Sequence, residues 1–416
     1  MYKTKILKLI FIFLFTSLFW TSFQRPVYAW KFIVAGDTRS NHTAHAKVLA
    51  ASKSKVNNNE RIVYFNMGDV TADGTTADWS TWLKIITGTY NTAIDSNLGI
   101  NWSIKSPPAY VSPVGNHDTH ANEPNWEERW KANLNSQVGL SAYSDIPGQD
   151  HGLWGSFKYD NTLFIWLTGY YYTGVSSVAQ TDFMQRTLTR SNQDSQVLWK
   201  IVIFHQPAAP CGTNHEDWST GISWSDNYFI PYQVDLILNG HNHYYTRSCP
   251  FTSVLSKTCE PSFTGGLANP KNIITGDPVG PIHITSGGGG ASLYTPGDCV
   301  WLEAKTGQFH FVEVNINGGA LSFKTWAVDA SSNTYPYLTS VNPIDQLSWQ
   351  KSTTGPTPTP INCPGDTNYN RIINVDDLLT VLSNWGQTSG AGDVNNDQIV
   401  NISDVIFVLQ KWGACV

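Results

Sequence analysis

No Cys-x-x-Cys pair occurs in the chain, which excludes a zinc site built from closely spaced thiolates. Beyond the first 29 residues, no apolar run approaches the roughly 20 residues that span a bilayer. Basic residues are in deficit as well, with 26 Lys and Arg against 32 Asp and Glu. That deficit excludes nucleic acid as a structural partner and an anionic membrane surface as a main one, since both require a basic footprint.

What is present begins with an export signal. Lys3, Lys5 and Lys8 precede an apolar stretch from Leu9 to Trp20, and Val27-Tyr28-Ala29 offers the small residues read at a cleavage site. Residues 1–29 therefore read as a secretory signal peptide, leaving a secreted, extracellular chain with no membrane span. Its removal takes away Lys3, Lys5, Lys8 and Arg25 and no acid, which moves the formal charge from −6 to −10. Such an acidic balance suits a protein with cation sites. Six cysteines fit an oxidising compartment. Cys363 and Cys415 lie at the far end. Cys211, Cys249, Cys259 and Cys299 allow three pairings; one of them closes the short Cys249–Cys259 loop and leaves Cys211 with Cys299.

A Thr/Pro tract from Thr353 to Pro360 has no large apolar residue to bury and reads as an extended linker, residues 351–360. It divides a body, 30–350, from a tail, 361–416. In the body, apolar runs at 32–35, 62–65, 110–114, 163–167, 201–204, 234–238 and 282–285 read as buried strands. Helical patterns fall around 78–86, 126–133 and 181–190. The stretches 308–314 and 321–328, about Asn317-Gly318-Gly319, predict a hairpin. The body is thus mixed α/β.

Polar residues with metal-binding chemistry follow these strands: Asp37 in Gly36-Asp37-Thr38-Arg39, Asp69 in Gly68-Asp69, the run Gly115-Asn116-His117-Asp118, then His205, then Gly240-His241-Asn242-His243. Strand C-termini of an α/β sheet converge on one rim, where ligands bind. Carboxylates, an amide oxygen and neutral imidazoles without thiolate suit Zn, Mn or Fe. Paired ions bridged by a carboxylate clamp phosphoryl oxygens and activate water.

This ordered set resembles the calcineurin-like metallophosphoesterases over roughly residues 30–330. The resemblance implies a four-layer αββα sandwich and hydrolysis of phosphate mono- or diesters by a metal-activated hydroxide. It also implies two divalent or mixed-valence transition metals. One ion takes Asp37, Asp69 and His243; the other takes Asp69, Asn116, His205 and His241. His117 meets substrate phosphate and protonates the leaving group, with Asp118 orienting its ring. Ser286 to Gly290, and Tyr245 with Arg247, look similar to the purple acid phosphatase branch. The pattern departs in one place: many members carry histidine where this chain has Arg39, and the tyrosine by which purple acid phosphatases compensate is here Ala72. The Asp37 ion is left with three protein ligands, and Arg39 becomes a candidate for facing the phosphate. His215, in Asn214-His215-Glu216-Asp217, and His120 are loop residues within reach of the pocket. His42 and His45 read as the solvated face of a helix.

The tail repeats itself 27 residues on, from Asp366 to Asp393. Asp366, Asn368, Asn370, Asn374 and Asp377 supply oxygens at loop positions 1, 3, 5, 9 and 12, as do Asp393, Asn395, Asp397, Asn401 and Asp404. The carbonyls of Ile372 and Ile399 fall at position 7. This is a calcium-loop pattern, and the pair resembles a type I dockerin, a small all-α EF-hand duplication. A dockerin implies Ca²⁺ and a cohesin partner on a scaffold or cell surface. Position 6 departs, being Arg371 or Gln398 in place of glycine. The alternative to an enzyme is a phosphoesterase-like binding module without catalysis, displayed through this tail.

Overall fold

A computed structural model describes residues 29–56, 62–95, 110–119, 126–133, 150, 152–169, 177–212, 214–351, 365, 367, 372–388, 392–395 and 397–414. Nearly all of the signal peptide, most of the linker, His120, Asp366, Asn368, Asn370, Cys363 and Cys415 fall outside the described residues.

Two mixed sheets face each other. The first is built from β1 (Trp30–Val34), β2 (Ile62–Phe65), β3 (Tyr110–Val111), β10 (Ile273–Thr275), β13 (Phe309–Asn317), β14 (Ala320–Val328) and β15 (Asp345–Gln350). Its order is β10-β15-β14-β13-β1-β2-β3. The second contains β4 (Gly155–Tyr159), β5 (Thr162–Trp166), β6 (Trp199–Ile203), β7 (Leu236–Asn239), β8 (Tyr245–Ser253), β9 (Thr258–Cys259), β11 (Ile282–Ser286) and β12 (Leu302–Thr306). Its order is β12-β8-β11-β7-β6-β5-β4, with β9 pairing β8. β1, β2 and β3 run parallel, as do β5, β6, β7 and β11.

The period-2 alternation of a strand explains the layering. In β1, Phe32 and Val34 enter the core between the sheets while Ile33 faces a second core outside. β5 divides likewise, with Phe164 and Trp166 inward and Leu163 and Ile165 outward. Both faces being covered, these strands read as continuous apolar runs. Helices His42–Lys53 and Thr76–Ile86 pack on the first sheet through Val48, Leu49, Trp79 and Trp82. Helix Ser177–Gln193 covers the second through Phe183, Met184 and Leu188. The body is therefore a helix–sheet–sheet–helix sandwich of mixed α/β class.

Strand Tyr110–Val111 is shorter than the expected 110–114, because Pro113 donates no ladder hydrogen bond. The four body cysteines pair as Cys211–Cys299 and Cys249–Cys259. In the tail, helices Val375–Ser383 and Ile402–Gln410 start on capping boxes, Asn374 with Asp377 and Asn401 with Asp404. Ile373, Val381, Val400 and Val408 form their small shared core.

His45 corrects an expectation. It is buried at 1% exposure, so it lies against the sheet and not on a solvated face, whereas His42 is partly exposed. His45 and His283, both held near pKa 3, and His310, near 4, are kept neutral chiefly by burial. In the unfolded chain they titrate near 6.5, so below that pH the unfolded state binds more protons and stability falls. Unfolding midpoints in urea should drop from pH 6.5 towards 4, by roughly 2 kcal/mol per histidine at pH 5. His283→Leu should reduce that slope; a flat pH profile would contradict the assignment.

Candidate metal centre

The C-terminal ends of β1, β2 and β3 meet those of β6, β7 and β11 at one end of the sandwich. Backbone hydrogen bonds knit the two sheets there, Gly36 N–H donating to the Ser286 carbonyl at 2.7 Å and Ala291 N–H to Asp37 at 2.7 Å, while Asp37 N–H donates to Gly68 at 3.0 Å within the first sheet's rim. The strand-end motifs, spread over more than 200 residues of sequence, are thereby brought into one cleft.

Asp37, Asp69 and His241 all hold left-handed backbone, with φ of 56°, 53° and 66°. Such conformations cost of order 1–3 kcal/mol each and persist where the surroundings over-determine them. Here Asp37 accepts the His241 N–H at 2.8 Å on Oδ2, and Asp69 Oδ1 accepts the His117 N–H at 2.9 Å. Glycine is required beside them. A Cβ on Gly115 would meet the backbone nitrogen and carboxylate of Asp69, and one on Gly68, at φ 92°, would meet the His205 ring. Gly68→Ala should therefore leave the circular dichroism unchanged and weaken Mn²⁺ binding at least about 10-fold, by displacing a ligand from its support; unchanged affinity in a calorimetric titration would refute this.

Two clusters share Asp69. In one, Asn116 Oδ1 lies 2.8 Å from His241 Nδ1 and 3.1 Å from His205 Nε2, and those two nitrogens are 3.2 Å apart. Asp69 Oδ1 stands 3.4 Å from His205 Nε2. His205 Nδ1 faces the Met67 carbonyl at 2.7 Å, so it must donate, and Nε2 is a bare lone pair. Two oxygens thus converge on an unprotonated nitrogen, an arrangement that a cation reconciles. In the other cluster, His243 Nε2 is 3.5 Å from Asp37 Oδ1, and His243 Nδ1 donates to the Ser292 carbonyl at 2.7 Å. Asp37, Asp69 and His205 each offer a ligand atom within 4.8 Å of one another.

Electrostatics favour the same chemistry. Burial depresses all three imidazoles: His205, His241 (with His205 next) and His243, the last to about 4. They are neutral and ready to coordinate. Burial, with Asp69 beside it, pushes the Asp37 carboxyl well above the usual range, and Arg39 acts against this. Asp118 is raised to about 7 by burial and then by Asp69.

One expected role changes. Asp118 does not orient the His117 ring: its Oδ1 accepts the Thr71 N–H and hydroxyl, at 2.8 and 2.9 Å, and its Oδ2 accepts the Gly115 N–H at 2.9 Å. It fastens the β2 and β3 loops together. The His117 ring is held instead by Nδ1 donating to the Ala72 carbonyl at 2.9 Å. Arg39 points into the cleft, its Nε 3.1 Å from Asp69 Oδ2 and its terminal nitrogen 3.4 Å from His243 Nε2.

His215 does reach the cluster, its ring centroid 3.9 Å from that of His241. Tyr294, which belongs to none of the motifs, stacks on His243 at 4.2 Å. Its one signal was its place just after the glycine run that follows β11. The carbonyls of Met67, Ala72 and Ser292 carry no side-chain signal at all. Tyr245 and Arg247 turn away from the cleft towards Asp345.

The profile of the Calcineurin-like phosphoesterase family matches residues 31–245, a span that includes all six candidate ligands. An uncharacterized protein of Mycobacterium tuberculosis is 29% identical over 181 residues, covering 39% of this chain and 34% of its own. An Fe(3+)-Zn(2+) purple acid phosphatase of Arabidopsis thaliana is 27% identical over 173 residues, covering 41% and 34%. The chain thus matches about a third of the length of these curated relatives. A purple acid phosphatase from yellow lupin (Lupinus luteus) seeds has a similar fold, with a TM-score of 0.50 at 17% identity, over 79% of this chain and 55% of that one.

Proposed function

The chain belongs to the calcineurin-like phosphoesterase family, and from that membership we propose that it is an exported, metal-dependent hydrolase of phosphate mono- or diesters working at the cleft between Asp37 and His243. The observation that carries this reading is the convergence of Asn116 Oδ1, His205 Nε2 and His241 Nδ1 within 3.2 Å of one another beside Asp69. Those four residues would hold one transition ion, and Asp37, Asp69 and His243 face the neighbouring position. An ion held there supplies Lewis-acid polarisation of a phosphoryl oxygen and acidifies water.

The chain's own groups do the rest. The Arg39 guanidinium sets a fixed positive charge beside the phosphate. His117 spends Nδ1–H on the Ala72 carbonyl, so Nε2 is its free ring atom; protonated there, it hands a proton to the departing alkoxide. His215, lying against the His241 ring, lines the mouth where the ester group sits. Chain loaded with Mn²⁺ or Zn²⁺ should turn over p-nitrophenyl phosphate or its bis ester and lose this on chelation. Metal-loaded chain that cleaves neither ester, nor common nucleotides, would sink the reading.

For the tail we propose calcium binding and attachment through a cohesin-type partner, as in a dockerin. In the second loop, Asp393, Asn395, Asp397, the Ile399 carbonyl, Asn401 and Asp404 carry the oxygens, and Gln398 takes a left-handed φ of 71° at the position usually given to glycine. In the first, Ile372, Asn374 and Asp377 lie within the described residues. Support for a partner comes from four exposed apolar pairs repeating at the same interval: Val375 and Ile402, Leu379 and Ile406, Leu382 and Leu409, Trp385 and Trp412. Calcium titration should raise the tail's melting temperature; no response to calcium would remove both claims.

A further inference from the structure

We propose that Arg39 occupies the place of a second ion, so that the working centre holds one transition metal and one guanidinium. This rests on the hydrolase reading above and specifies its centre. An ion beside Asp37 needs lone pairs from Asp37, Asp69 and His243. Two of those three are already engaged by one side chain: Arg39 Nε–H donates to Asp69 Oδ2 at 3.1 Å, and its terminal N–H faces His243 Nε2 at 3.4 Å. The His243 nitrogen is a true acceptor there, because Nδ1 donates to the Ser292 carbonyl. Asp37 is engaged too, both of its oxygens lying within 3.1 Å of the His241 N–H.

The guanidinium is anchored by position as well as by contact. The Arg39 N–H donates to the Asp69 carbonyl at 3.2 Å, and the side chain is only 16% exposed. A permanently charged group fixed among these donors repels a divalent ion from them. It also performs part of that ion's task, since a planar fork of N–H groups matches a phosphoryl oxygen pair. Asn116, His205 and His241 make no hydrogen bond to Arg39 among the described contacts, so the other position stays open to a metal. The donor set therefore fits one ion and does not fit two.

The test is stoichiometry, read apart from activity. Apo chain, held in excess Ca²⁺ to saturate the tail, is equilibrated with Mn²⁺, and bound metal is counted by plasma mass spectrometry. Electron paramagnetic resonance separates isolated from exchange-coupled ions. The wild type should bind one Mn²⁺ with an isolated-ion spectrum. Arg39→His, which removes the charge and adds a nitrogen donor, should bind two and show coupling. Arg39→Gln, a second variant in case the first misfolds, should exceed one equivalent. A coupled pair in the wild type, or one equivalent in all three chains, would overturn the inference and leave the hydrolase reading standing. A wild type that binds no Mn²⁺ would overturn both.

Discussion

Asp69→Ala is expected to lower kcat for aryl phosphates at least about 1,000-fold, which corresponds to about 4 kcal/mol of transition-state stabilisation. Asp69 is 1% exposed and stands between the two clusters. Its Oδ1 accepts the His117 N–H and faces His205 Nε2; its Oδ2 accepts Arg39. Without the carboxylate, an ion held by Asn116, His205 and His241 would lose its anionic ligand, Arg39 loses its anchor, and the β3 loop carrying His117 loses a hydrogen bond. The rise in melting temperature that Mn²⁺ gives the wild type should disappear in Asp69→Ala, because an ion then gains no anionic ligand there. Metal-dependent turnover retained in this variant would rule out the centre as described.

Asp345→Ala is expected to cost about 3–5 kcal/mol of folding stability, the range for breaking one side of a buried ion pair. Arg247 is buried in β8, where its Nε and terminal nitrogen donate to the two Asp345 oxygens at 2.8 and 2.9 Å. The Tyr245 hydroxyl donates to the same carboxylate at 2.6 Å. Removing it leaves a buried guanidinium without this counter-charge and a buried phenol without its acceptor. Replacing both partners by apolar residues of similar size, Arg247→Met with Asp345→Leu, should recover most of the loss, because no buried charge then remains. Urea unfolding of the three chains measures this. A loss below about 1 kcal/mol in Asp345→Ala would show that water reaches the guanidinium.

The strands buried on both faces were legible because their apolar runs are continuous, as in 32–35 and 201–204. β8, β12 and β15 were not. β8 carries the polar run Thr246-Arg247-Ser248, and β15 opens on Asp345, whose inward orientation only its partners Arg247 and Tyr245 explain. The burial of His45 is hidden from the sequence for a related reason. A histidine in a weakly amphipathic helix gives no sign of being buried, and only the packing of His42–Lys53 against the sheet and Gly290 decides it.

By itself, the sequence determined the chemistry of this protein. The residue types, their order and their glycines specify a candidate cation centre, because carboxylate, amide and imidazole donors after successive strands have little other use together. The tertiary structure decided the geometry, since closing two sheets on each other sets which lone pairs face the cleft and which are spent on carbonyls. His117 and Asp118 are neighbours in sequence, yet their side chains do not bind each other: His117 donates to the Ala72 carbonyl, while Asp118 accepts from Thr71 and Gly115. Arg39, a mere departure from a motif on paper, becomes a charge held between Asp69 and His243. Contacts spanning that many residues arise only from the folded backbone, which is why no local pattern announces them.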